Sequence, residues 1–220
     1  MRRLQAVLLP LLAGALGDSA AEAQTCVGLP SFDAGALRLN VSAQFPDSAK
    51  AYLIGLGAGK PDGPFATAGV GRVSFVDLEE RATLGFVEAG YQIPLPGGVE
   101  LCPLVGGQLG RGPDDALFRL TVRSRGWAAG GAIGTTLPAG PVALGPNLAV
   151  RYEWFSQEVE EEGIGAETST FDGSVLDLGL AVILGGRLSL QPLVHVPLSG
   201  DDGGTTLGLF GSLAFGLPGG

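Results

Sequence analysis

Histidine occurs once in this chain, at His195, and cysteine twice, at Cys26 and Cys102. A zinc centre draws three or four such ligands together at short spacing, so the chain lacks a donor set of that kind and no metal is expected. Basic residues are also scarce: 13 Lys and Arg stand against 22 Asp and Glu, a net charge of −9. A surface this acidic cannot neutralise phosphates over a broad face, which argues against nucleic acid as a partner. Long apolar runs are missing as well. The longest, Leu4 to Leu16, is interrupted by Pro10 and is too short to cross a bilayer as a helix. No stretch beyond it carries a convincing helical period.

That apolar run has another meaning. Arg2 and Arg3 precede it and Ala21-Glu22-Ala23 follows it, which together read as a secretory signal over Met1 to Ala23. The sequence Ala23-Gln24-Thr25-Cys26 does not fit a lipidation box. Loss of the signal removes Arg2, Arg3, Asp18 and Glu22, so the balance stays at −9. In an oxidising compartment an even pair of cysteines favours one disulfide, Cys26 to Cys102. The 38 glycines show no collagen repeat, and the chain is too apolar for a disordered linker. Small residues at alternate positions suit the crowded inside of a narrow barrel.

What the chain has in abundance is alternation. Val142, Leu144, Leu148, Val150, Tyr152 and Trp154 share one parity, and Ala143, Gly145, Asn147, Ala149, Arg151 and Glu153 the other. A greasy outer face and a small or charged inner face are the pattern of a membrane β-strand. Ten such strands are expected, at about 36–45, 50–60, 65–77, 81–93, 99–110, 127–137, 142–157, 173–184, 187–198 and 205–217. The residues 24–35 form a periplasmic N-terminal segment and 36–220 the barrel. Long polar connections are expected at 111–126 and 158–172. Pro61-Asp62-Gly63-Pro64, Pro94-Leu95-Pro96-Gly97-Gly98, Pro138-Ala139-Gly140-Pro141 and Gly185-Gly186 supply short turns. Short turns at one end and longer loops at the other give the barrel a periplasmic and an external side. Both cysteines then fall on the periplasmic rim.

The expected fold is therefore all-β: a single antiparallel up-and-down transmembrane barrel of ten strands, or eight if the first hairpin lies outside it. A soluble lipocalin-like barrel would put the apolar parity inside, the reverse of this assignment. Interfacial aromatics are expected at Tyr91, Trp127, Tyr152 and Trp154, near strand ends.

The inward parity collects the charges Arg38, Arg72, Glu88, Arg151, Glu153, Asp177, Arg187 and His195, with Asn40, Gln44, Gln108, Asn147 and Gln191. In a narrow barrel such charges pair and fill the interior rather than line a channel. Arg151, Glu153 and Asp177 form the sharpest cluster. His195 has Ser199, Asp201 and Asp202 near it in sequence, but neither an orienting group nor an oxyanion site is legible, so no catalytic role is assigned. Gly55, Gly57 and Gly59 alternate within a strand with no helix behind them, so they are not a phosphate loop, and no cofactor is implied. Glu158, Glu160, Glu161 and Glu162 read as a solvated acidic loop. Arg111, Arg119, Arg123 and Arg125 surround the other long connection and are candidates for contact with lipopolysaccharide phosphates or with the acidic loop.

The signal, the strands, the turn asymmetry and the ending Leu207-Gly208-Leu209-Phe210-Gly211-Ser212-Leu213-Ala214-Phe215 together resemble the small outer-membrane β-barrel superfamily, the opacity and surface-antigen porin-like proteins. Members often end on an aromatic residue, whereas here Phe215 is followed by Gly216-Leu217-Pro218-Gly219-Gly220. The resemblance implies an outer-membrane location and a non-enzymatic role in envelope structure or surface interaction. A narrow pore is the alternative, and a hydrolase using His195 a distant one. It implies membrane lipid, lipopolysaccharide and the barrel-assembly machinery as partners.

Overall fold

The computed structural model describes residues 23–27, 29–30, 36–46, 49–75, 81–112, 120–161, 165–200 and 204–216. The expected signal, up to residue 22, lies outside the described residues, as do Arg119, Glu162, Asp201 and Asp202. Among the described residues ten long strands form one antiparallel sheet: β1 (Ala36–Phe45), β2 (Ala49–Gly59), β3 (Pro64–Phe75), β4 (Arg81–Tyr91), β5 (Val99–Arg111), β6 (Leu120–Thr135), β7 (Val142–Glu161), β8 (Gly165–Leu184), β9 (Leu188–Pro197) and β10 (Thr206–Gly216). Each pairs with its neighbour in sequence, and β10 closes on β1 from Leu207↔Phe45 to Gly216↔Ala36. The sheet therefore has no edge, and every strand finds both partners within the barrel.

Parity decides which residues face out. On β7 and β8 the outward pairs include Leu148↔Leu178 and Val150↔Leu176, and the inward ones include Ala149↔Asp177 and Gly145↔Ala181. Large apolar side chains stay exposed on the outside around the barrel, among them Ile54, Val70, Leu109, Leu180 and Leu209. In water such a belt costs free energy on every residue; in hydrocarbon it does not, which is the physical case for a lipid-facing wall. Small residues let the narrow interior close. A Cβ on Gly130 would collide with the Val150 carbonyl and approach Arg151 Cγ to 2.9 Å. The turn between β8 and β9 has positive φ at both Gly185 and Gly186, 54° and 66°, a conformation glycine adopts without a Cβ penalty.

Three strand limits differ from the sequence reading. β6 begins at Leu120 rather than Trp127, β7 runs on to Glu161 and β8 starts at Gly165. The polar segments expected as loops are thus partly ladder, continuing to Glu161↔Gly165 and Glu161↔Leu120. Hydrophobic alternation marks a strand only where one face meets lipid. Above that level Thr, Ser and Glu keep the hydrogen bonds but lose the pattern. Residues 165–172 are exposed throughout, so the β7–β8 hairpin forms a projecting arm.

Candidate functional site in the barrel lumen

The N-terminal segment enters the mouth beside the turns that follow β2, β4, β6 and β8. Cys26 lies in a short 3-10 turn (Thr25–Val27) and is joined to Cys102 at the start of β5, with Cα atoms 5.9 Å apart. Both cysteines are buried, with Phe65, Leu104 and Ala132, and Val27 and Ala149 pack against them. All the barrel members of this cluster have inward parity, so the segment fills the lumen instead of lying on the rim. The 3-10 turn touches β5, β6 and β7, and the Leu29–Pro30 strand reaches β8, β9 and β10 across the mouth.

Two residues further along β7 the filling changes character. Arg151 reaches three carboxylates: Asp177 at 2.5 Å on β8, Glu153 at 3.7 Å on its own strand, and Glu88 at 3.8 Å on β4. Two strands separate β4 from β7 around the wall, so the Glu88 contact crosses the lumen. Asp177 Oδ1 also lies 2.7 Å from His195 Nδ1, where the ring N–H donates to the carboxylate. Arg38 is fully buried on β1, within reach of the Glu88 charge. Gly130 leaves the room that Arg151 occupies. Neutral polar pairs complete the filling: Gln191 donates to Asn147 at 3.0 Å, and Ser212 to Asn40 at 2.7 Å.

The structure thus brings together Arg38, Glu88, Arg151, Glu153, Asp177 and His195. Arg72 does not belong with them. It is exposed on the outward parity of β3, opposite Tyr52 and Thr83. The reason lies in the strand itself: Ala66 and Ala68 outside and Gly69 and Gly71 inside are equally small, so their alternation leaves the face undecided. Phe65 chooses it instead, by turning inward onto the disulfide. Arg187 sits exposed in the turn before β9. Of the aromatics, Tyr91 is exposed near the termini-side end. Trp127 and Tyr152 meet on the outer face with ring centroids 5.6 Å apart, Trp154 pairs across from Trp127, and Arg125 lies 5.9 Å over the Trp154 ring. Sequence spacing had no means of finding the Glu88–Arg151 contact, which depends on how the barrel closes.

His195 spends its Nδ1 on Asp177, and Ser199, near in sequence, instead accepts from the backbone N–H of Ser174 at 3.0 Å. A serine–histidine pair is therefore not assembled between these two residues.

No family model matches this chain, and no curated protein matches it. Among solved structures, the β domain of the Bordetella autotransporter BrkA superposes with a TM-score of 0.51 at 13% identity, covering 82% of this chain and 99% of that one. The attachment invasion locus protein Ail of Yersinia pestis matches at TM-score 0.41 and 9% identity, over 82% of this chain and 95% of that one. The N-terminal β-barrel domain of Pseudomonas aeruginosa OprF matches at 0.37 and 10%, over 82% and 98%. At these identities the likeness concerns the fold alone, and the BrkA domain is the one of the three that superposes above 0.5.

Proposed function

We propose that this chain is a plugged, non-enzymatic outer-membrane barrel that serves envelope structure or surface interaction through its projecting β7–β8 arm. The observation that carries the reading is the Arg151 contact with Glu88, which ties β7 to β4 through the barrel interior where a channel would have to pass. The disulfide-held segment beneath it closes the same path a second time. The termini-side mouth is then the periplasmic end, reached after export, and the arm is external. Membrane lipid, lipopolysaccharide and the barrel-assembly machinery are the partners this reading entails.

The test is conductance. Full-length protein reconstituted in a planar bilayer should show no steady open level. Cell fractionation with a gel run before and after boiling should place it in the outer membrane as a heat-modifiable band. A stable, solute-sized conductance from the wild type would replace this reading with that of a narrow pore.

A further inference from the structure

The outer wall holds a second feature that the plug does not use. Register aligns Tyr52, Arg72, Thr83, Arg111 and Arg123 in one cross-strand row over β2 to β6. The next row toward the termini reads Ile54, Val70, Gly85, Leu109 and Arg125. Along these rows opens a cleft of about 790 Å³ whose lining includes Arg72, Arg111, Val70 and Leu109, and eight of its twelve lining residues have outward parity. Val70 and Leu109 are 61% and 69% exposed, among the most exposed apolar side chains of the wall.

Gly85 makes the cleft. It stands on the outward parity between two large apolar residues, and a Cβ there would meet only the Gly69 carbonyl, at 3.9 Å. A missing side chain in a lipid-facing row leaves a slot the width of an acyl chain. Arg72 and Arg111 flank Thr83 two strands apart, about 10 Å between backbones, a span that two long guanidinium side chains can bridge around a phosphate. The outward positions of β2 to β5 also carry Lys50 and Arg81, and no carboxylate; the acids of these strands, Glu88 and Glu100, have inward parity. Cations therefore stand where apolar wall ends, on a chain whose net charge is −9.

We infer that this cleft binds a phosphate-bearing lipid of the surrounding leaflet, its phosphate between Arg72 and Arg111 and one acyl chain in the slot over Gly85. This site rests on the membrane reading above, and the experiment separates the two. Full-length protein folded in neutral detergent is titrated with diphosphorylated lipid A, with its dephosphorylated form and with inorganic phosphate, and retained lipid is read by native mass spectrometry. The wild type should retain the phosphorylated lipid, and the dephosphorylated form should bind at least about tenfold more weakly, as expected for losing one charge-assisted contact. Arg72→Ala/Arg111→Ala should weaken retention by about tenfold or more on the same basis. Gly85→Leu, which has open space to enter, should block the slot and release the lipid with both arginines in place. Equal retention of the two lipid forms, or no loss in both variants, would overturn the site. Displacement of the lipid by millimolar inorganic phosphate would overturn the lipid in favour of a simple anion site. Failure of the wild type to insert into liposomes would sink the membrane reading. Insertion without lipid retention would sink this site alone.

Discussion

Two neighbouring levels of one lumen are closed by different physics. At the termini-side mouth Cys26, Phe65, Cys102, Leu104 and Ala132 meet as an apolar, covalently held layer. Just above it Arg151, Glu88, Glu153, Asp177 and His195 form a layer held by charge. The apolar layer is graded: each atom removed costs its own contacts and a little cavity. The ionic layer is not, because Arg151 is the shared partner of three carboxylates, and its loss leaves all three facing one another. A narrow barrel thus obtains a tolerant seal from carbon and sulfur and an intolerant one from charge.

The largest expected effect breaks the second seal. Arg151→Met should lower unfolding stability in urea by about 3 kcal/mol, the lower end for breaking a buried pair, since Glu88 and Glu153 keep some contact with water. A cost below about 1 kcal/mol would put Arg151 in the class of surface pairs and remove the contrast. The first seal should cost less. Cys26→Ser should lose about 2 kcal/mol, the lower side for a cross-link closing a long loop, because burial still holds the segment. The same difference should appear in the wild type between oxidising and reducing buffers and vanish in the variant. Proteinase K should then trim the released segment. No redox difference in the wild type would mean the staple is idle.

How much of this was legible depended on lipid. Where strands cross the bilayer, the alternation of Leu148, Val150 and Tyr152 against Ala149, Arg151 and Glu153 is imposed by two solvents, so ten strands and their faces could be read. The Gly185-Gly186 turn and the Cys26–Cys102 bond were legible for similar reasons, from turn chemistry and end assignment. Above the bilayer both faces of β7 and β8 are wet, and Glu158 to Asp172 reads as loop although the backbone of residues 158–161 and 165–172 stays paired. Arg72 failed where alanine and glycine leave a strand without a preferred face. The lumen network was legible as a set of charges but not as a set of partners. Arg151 to Asp177 joins adjacent strands and could be anticipated; Arg151 to Glu88 requires the closed curve of the wall.

The finest distinction lies within the ionic layer. Asp177 has two partners, Arg151 at 2.5 Å through Oδ2 and His195 at 2.7 Å through Oδ1. Removing His195 takes one hydrogen bond from a carboxylate that keeps its cation, whereas removing Arg151 takes the cation from three carboxylates. His195→Ala should therefore cost about 1 kcal/mol, the net value of a single hydrogen bond, in the same urea titration. If Asp177 depends on Arg151 in this way, the two substitutions should not be additive. Once Arg151 is gone, the His195 contact is the last donor left to Asp177, and its removal from Arg151→Met should cost more than from the wild type. Equal costs in both backgrounds would show His195 and Arg151 acting independently, and the layer would then be a row of separate pairs instead of one shared network.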